Sequence, residues 1–220
     1  MIALENTLAA PQLRDDAIPH AGQIVLFSVL ISALIAAASL TLGAGDGNLW
    51  PLAAEMVARF SLLIFVAAMI VEPMARLIPS GATRAAGRER TSLILGFVAA
   101  SAISLACVAA PSQLGGEPMT LPAIAYCLLT GAILVVMLFS AHPATIRFLG
   151  APAWRSLQRI ATAYFWLSFA LIGISHLIGP HRPDNWHGFS LLLLLAALMI
   201  RFADTLVAHY RGTPMAEKVG

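Results

Sequence analysis

Histidines around one short polar stretch are the first sign of chemistry in this sequence. His176, His181 and His187 lie near one another along the chain, with Asp184 among them. Imidazole is a common ligand of metal ions and of haem iron. Because no tight ligand motif such as H-x-x-x-H occurs here, the pattern favours a solvated loop with interfacial histidines over a metal site. The other histidines are predicted to lie at the opposite interface or in the N-terminal tail: His142, His209 and His20.

Charged residues inside apolar stretches are the second sign, because a charge within a membrane span is costly and commonly marks a partner or a pathway. Glu55 and Arg59 are four residues apart, so a helix would place them on one face, where an ion pair shields both from lipid. Arg201 and Asp204 are three residues apart and can pair in the same way. A proton or quinone pathway through such groups is the alternative to charges that simply reach water at the interface.

Three further polar residues are predicted to join helices to one another. Glu72 is expected to form an inter-helix ion pair with Arg159 or Arg201. Gln158 needs a hydrogen-bond partner if it is buried, and polar residues in lipid commonly hold neighbouring helices together. A structural role is therefore favoured for Gln158 over ligand binding.

The composition indicates that lipid is the solvent of this chain. Of the 220 residues, 59% are hydrophobic and 11% are charged, and the mean hydropathy is +0.83. Soluble domains carry about a quarter charged residues. The net charge of +2 and the scattered basic residues exclude a nucleic-acid partner. Cys107 and Cys127 lie in apolar runs and are too few for a disulfide framework.

Six segments are apolar and long enough to cross a bilayer, which takes about 20 residues. They predict an all-α integral membrane bundle with six transmembrane helices, at 23–42, 53–76, 91–110, 121–140, 156–178 and 187–207. Turn-forming loops connect them, including the stretch IPSGATRAAGRER after the second span, so consecutive helices are expected to be antiparallel neighbours. The predicted divisions are a cytoplasmic tail at 1–22, the transmembrane domain at 23–208 and a cytoplasmic tail at 209–220.

The basic residues predict the orientation, because cytoplasmic loops carry an excess of Lys and Arg. The loops after the second and fourth spans and the C-terminal tail hold most of them: Arg76, Arg84, Arg88, Arg90, Arg147, Arg155, Arg211 and Lys218. Both termini are therefore expected in the cytoplasm of a bacterium, with the chain in its inner membrane. Trp50, Trp154 and Trp186 fall near predicted span ends, where interfacial anchors belong.

Three segments together resemble a known membrane family. The second span closes in Glu72-Pro73-Met74-Ala75-Arg76-Leu77, the third span is preceded by Arg88-Glu89-Arg90, and residues 147–160 read RFLGAPAWRSLQRI. In this order they resemble ferric reductase-like transmembrane domains, a family that includes the haem-binding membrane subunit of the bacterial methionine-sulfoxide reductase system. The resemblance covers about residues 50–180 and implies a six-helix fold built to carry b haem.

The positions that bind haem in that family differ here. The family holds haem between histidines of the third and fifth helices, whereas Ala102 and Ile103 stand at the third-helix position and the third span has no histidine. In the fifth span Gln158 replaces the first family histidine, and Leu171 aligns with the second. The third span also carries small residues that permit close helix packing and leave no porphyrin slot: Ala99, Ser101, Ala102, Ala106 and Ala109.

These differences predict a haem-less relative, without a cofactor, that acts as a non-catalytic accessory or structural subunit. Its expected partners are membrane lipids and other integral membrane subunits of a larger complex. One alternative is a b-type cytochrome that takes electrons from a quinone or flavin and binds haem b through His176 with His187 or His142. A second alternative is a small proton-coupled transporter that uses the charges within the membrane.

Overall fold

The structure is a computed structural model that describes residues 18–42, 49–114, 118–140, 145, 148–179 and 185–212. Over these ranges the chain is helical and has no strand. The helices are α1 (Ile18–Leu42), α2 (Leu49–Leu77), α3 (Gly81–Arg88), α4 (Arg90–Gln113), α5 (Leu121–Ser140), α6 (Ala151–Ile178) and α7 (Asn185–Gly212). All except α3 are long and apolar enough to span a bilayer. The predicted all-α bundle of six spans is therefore confirmed.

The short helix α3 corrects the prediction of a loop after the second span. Ser80 and Thr83 form a capping box, in which the Ser80 hydroxyl accepts from the Thr83 amide at 3.1 Å and Thr83 Oγ1 accepts from the Ser80 amide at 2.9 Å. Such reciprocal bonds satisfy amides that a helix start leaves unpaired. The glycines and arginines of the stretch Gly81–Arg88 therefore belong to a capped helix rather than to an extended turn.

Helix α2 lies at the centre of the bundle. In its most apolar stretch 56% of the residues are buried, against 11–28% in the other five spans. It contacts α1, α3, α4 and α7, whereas α5 packs only on the flank formed by α4 and α6. The buried residues of α5 form a single stripe at helical spacing: Thr130, Leu134, Met137 and Ser140. The outer helices consequently present most of their surface to the outside of the bundle.

The contact of α4 with α1 and α2 depends on small residues, though not on the ones that the sequence suggested. Ala102 and Ala106 are exposed on the outside. The close contact uses Gly96, where an added Cβ would lie 3.1 Å from Ser28 Cβ, and Ser104, whose hydroxyl donates to the Ala54 carbonyl at 2.9 Å. Ala102 and Ala106 are therefore rotated away from the interface, whereas Ser101 of the predicted set is buried, since the inward face of α4 runs through Gly96, Ser101 and Ser104.

An aromatic cluster fills the middle of the bundle between α2, α4 and α6. It consists of Phe65, Phe97, Phe165 and Phe169, whose ring centroids are 4.8–6.4 Å apart. Tilted and edge-to-face pairs at such distances are the favoured arrangements of aromatic rings. Phe65, Phe97 and Phe165 are buried, so this layer separates the two ends of the bundle.

Replacing Gly96 tests the close contact between α4 and α1. Gly96→Val would push a side chain into Ser28, and overpacking of this kind costs about 1–3 kcal/mol. We expect a lower midpoint when helical ellipticity is followed during heating in mild detergent. Gly188→Val is the matched control, because nothing lies within 4 Å of a Cβ added at Gly188.

Adding Ser28→Gly to Gly96→Val removes the atoms that clash and should recover part of the lost stability. Equal losses for Gly96→Val and Gly188→Val, or no recovery in the double variant, would contradict a tight contact at this position.

Candidate functional site

One end of the bundle, here called the arginine-rich end, contains Arg76, Arg90, Arg159 and Arg201. The Arg76 guanidinium binds Asp204 through two parallel bonds, from Nε to Oδ1 at 3.0 Å and from Nη2 to Oδ2 at 2.7 Å. This fork-like geometry is the strong form of an arginine–carboxylate pair. Helix α1 begins and helix α7 ends on this side of the bundle, since Ser28 of α1 faces Gly96 of α4 and Asp204 of α7 pairs with Arg76.

Glu72 extends this pair into a network across three helices. Its Oε1 accepts from Arg76 Nη1 at 3.0 Å, and its Oε2 lies 2.9 Å from Arg90 Nη1. The chain Arg90–Glu72–Arg76–Asp204 therefore connects α4, α2 and α7. Side chains of this network are partly exposed, with Asp204 the most shielded at 13%.

The network corrects two predicted pairings. Asp204 pairs with Arg76, not with Arg201, because the edge of the Arg76 guanidinium formed by Nε and Nη2 binds both oxygens of the carboxylate. Glu72 does form an inter-helix pair as predicted, but with Arg90 and not with Arg159 or Arg201. The spacing of Glu72 and Arg76, four residues apart, was the signal in the sequence that could have revealed the first contact.

Arg159 and Arg201 instead line a groove of about 600 Å³ between α6 and α7, to which Met69 of α2 also contributes. On α6 the lining residues recur at helical spacing from Arg159 through Thr162 to Trp166. On α7 they run from Leu198 to Thr205. Neither arginine makes a hydrogen bond or ion pair with any residue that the structure describes.

The opposite end of the bundle, here called the histidine end, contains His176 and His187 with Glu55 and Arg59. Glu55 and Arg59 form the predicted ion pair within α2. Arg59 also lies over the indole ring of Trp186, with its guanidinium carbon 5.4 Å from the ring centroid. A cation over an aromatic face gains electrostatic attraction, which helps to hold the arginine at this end.

A cavity of about 300 Å³ opens at the histidine end. Its polar lining includes four groups that the sequence did not single out, Tyr126, Thr130, Ser61 and Ser104, together with Ser101, Glu55, His176 and His187. The Thr130 and Tyr164 hydroxyls are hydrogen-bonded at 2.7 Å. Ser101 Oγ is buried and has no hydrogen-bond partner in the described part of the chain. The cavity thus combines an ionisable set with hydroxyl groups above the aromatic cluster.

The two histidines at this end do not fit a haem between them. Their rings are stacked face to face, with centroids 4.1 Å apart and planes 17° apart. An imidazole binds iron through a lone pair in its own plane, so two axial ligands must both point at the metal from opposite sides. Stacked, nearly parallel rings direct their nitrogens sideways instead. His176 Nδ1 also donates to the Ile172 carbonyl at 2.8 Å, and His142 lies outside the described residues.

The positions that the resemblance would align with haem ligands also do not face one another. Ala102 and Leu171 are exposed on the outside of the bundle. Gln158 is buried, and its Nε2 donates to Ser140 Oγ at 3.1 Å, joining α6 to α5. Trp154 Nε1 donates to the Ser140 carbonyl at 2.9 Å and supports the same junction. The contacts of Gln158 are those of a residue that connects two helices.

Two other kinds of chemistry, metal binding and thiol chemistry, concern the ranges of residues that the structure describes. Within those ranges, no group of three or more His, Cys, Asp and Glu side chains is placed to hold a metal ion. Cys107 and Cys127 are free thiols. Comparisons with protein-family models, with curated proteins and with solved structures find no match.

A double-mutant cycle on Arg76 and Asp204 tests the inter-helix fork. Because Arg76 is 56% exposed, we expect a coupling energy of only about 1 kcal/mol between Arg76→Gln and Asp204→Asn. Unfolding titrated with SDS in mixed micelles gives the free energies. The matched cycle on Glu55 and Arg59, a pair within one helix, should give about 0.4 kcal/mol. A coupling for Arg76 and Asp204 no larger than this control would show that the fork does not hold α2 to α7.

Proposed function

We propose that this chain is a non-redox relative of ferric reductase-like membrane domains and serves as an accessory subunit of a larger membrane complex. The observation that carries the proposal is the aromatic cluster, because four phenylalanine rings occupy the interior between α2, α4 and α6. The stacking of His176 on His187 supports it further. A bundle whose interior is closed offers its outer helix faces for function.

The outer surface supports a role in assembly. Helix α5 buries one stripe and exposes large apolar side chains on its remaining faces, among them Leu128 at 69% and Phe139 at 63%. Helix association in lipid requires packing and a few hydrogen bonds rather than a hydrophobic driving force. The proposed location is the bacterial inner membrane, with the arginine-rich end in the cytoplasm in accordance with the positive-inside rule.

A second candidate, a small proton-coupled transporter, is favoured by a different observation. The histidine-end cavity and the arginine-rich groove lie on opposite sides of the aromatic cluster, and Phe165 and Phe169 line the cavity while Met69 lines the groove. Two recesses that each contain ionisable groups, separated by an apolar layer, are compatible with access from alternate sides. Proton-driven flux in liposomes that Glu55→Gln abolishes would favour this candidate over the first.

The absorption spectrum of the purified chain tests the non-redox proposal. In mild detergent, with and without dithionite, we expect no Soret band and no reduced α band. Gln158→His restores a histidine at the aligned position and should remain colourless as well, because Phe97 and Phe165 fill the interior with centroids 4.8 Å apart. Near-stoichiometric haem in the unaltered protein would contradict the proposal. Substitution of His176 would then identify whether it is a ligand.

Photo-crosslinking from native membranes tests the accessory role. A photoreactive phenylalanine analogue is placed at Leu128 on α5, Leu195 on α7 or Leu34 on α1, all of which are exposed by 54–70%. A partner subunit should give one discrete heavier adduct confined to one face, with the other positions as internal controls. If no position gives an adduct and native mass spectrometry finds the chain alone in several detergents, the accessory role is wrong.

A further inference from the structure

Two arginines within the membrane-spanning part of the bundle form no ion pair with the carboxylates of the described residues. The nearby carboxylates Glu72 and Asp204 are engaged by Arg90 and Arg76. Arg159 and Arg201 form no ion pair or hydrogen bond with the described residues, yet both line the groove between α6 and α7. An arginine within a span is costly unless a counter-charge or water compensates it. The groove therefore has an excess of positive charge that an anion would neutralise.

The other polar groups of the groove have already used their donors. Thr162 Oγ1 donates to the Gln158 carbonyl at 2.7 Å, and Thr205 Oγ1 donates to the Arg201 carbonyl at 2.9 Å. Trp166 Nε1 donates to the Leu194 carbonyl at 3.2 Å. The remaining donors are the guanidinium N–H groups, about five on each arginine. A suitable ligand accepts several hydrogen bonds and carries negative charge, as a phosphate group does.

The walls of the groove indicate where such a phosphate comes from. Leu198, Met199 and Phe202 line it and are 43–61% exposed on the outside of α7. Arg159 lies about 10 Å from the start of its span and Arg201 about 13 Å from the end of its span, at about 1.5 Å per residue. Arginine side chains at such depths reach toward the interface while their stems stay in apolar surroundings. A ligand here meets guanidinium groups at one end and apolar side chains along its length.

We propose that this groove is a binding site for an anionic phospholipid, whose phosphate contacts Arg159 and Arg201 and whose acyl chains pack along Met199 and Phe202. A zwitterionic lipid fits less well, because its own cationic headgroup is repelled by the two arginines. Basic pockets between transmembrane helices bind anionic headgroups in the same way. The site is independent of the accessory role and of any partner subunit.

The test measures lipid retention by the full-length chain. The purified protein is equilibrated in mild detergent with phosphatidylglycerol or phosphatidylcholine of identical acyl chains, and bound lipid is counted by native mass spectrometry. At about 1 kcal/mol per arginine, we expect a preference for phosphatidylglycerol of roughly thirty-fold. The double variant Arg159→Gln/Arg201→Gln should lose this preference. Arg84→Gln/Arg88→Gln, on exposed positions of α3, removes the same charge and should retain it.

A second variant keeps the test decisive if the arginine variant does not fold. Ala163→Trp fills the groove from the exposed face of α6, leaves both arginines in place and should also reduce lipid retention. A third arm adds inorganic phosphate, which should not compete at concentrations that leave the protein folded. Equal retention of the two lipids, an unchanged preference in the groove variants, or equal displacement by inorganic phosphate would overturn the proposal.

Discussion

The close packing of α2 against α1 and α4 is the constraint on which the rest of the structure depends. Val57 and Ala53 of α2 and Ala100 of α4 have no exposed surface, and Ser104 reaches the backbone of α2 at Ala54. In lipid there is no hydrophobic drive between helices, so association depends on backbone approach through small residues and on a few hydrogen bonds. With these three helices fixed together, the remaining spans can only pack around the outside of the group.

This arrangement places the polar groups of the described spans on the two sides of one apolar layer. Where Phe65 of α2 meets Phe97 of α4, Phe165 and Phe169 of α6 complete an apolar layer. Ionisable groups within the bundle consequently lie above or below it, with Glu55 on one side and Glu72 on the other. The packing of α2, α4 and α6 thus closes the interior of the bundle and creates two separate recesses.

The sequence predicted all six spans but little of how each helix is rotated about its axis. Length and hydropathy were sufficient for six helices, and the four-residue spacing of Glu55 and Arg59 was sufficient for their ion pair. Local periodicity could not reveal the inward face of α4, because that helix is apolar around its circumference and small residues occur on both sides. The outward position of Ala102 followed from packing against α1 and α2. Contacts between distant segments, such as that of Arg76 with Asp204, likewise depend on how each helix is rotated about its axis. The sequence of a single helix does not determine that rotation.

The position of α2 determines which arginines are paired and which are not. Arg76 extends from the end of the central helix, within reach of carboxylates on its own helix and on α7, and its planar fork matches both. Arg201 lies one turn deeper on α7 than Asp204, so the Arg76 guanidinium takes the carboxylate that Arg201 would otherwise have used. Arg159 lies across the groove on α6, away from the α2 network. The central position of α2 therefore both satisfies the carboxylates and leaves positive charge in the groove between α6 and α7.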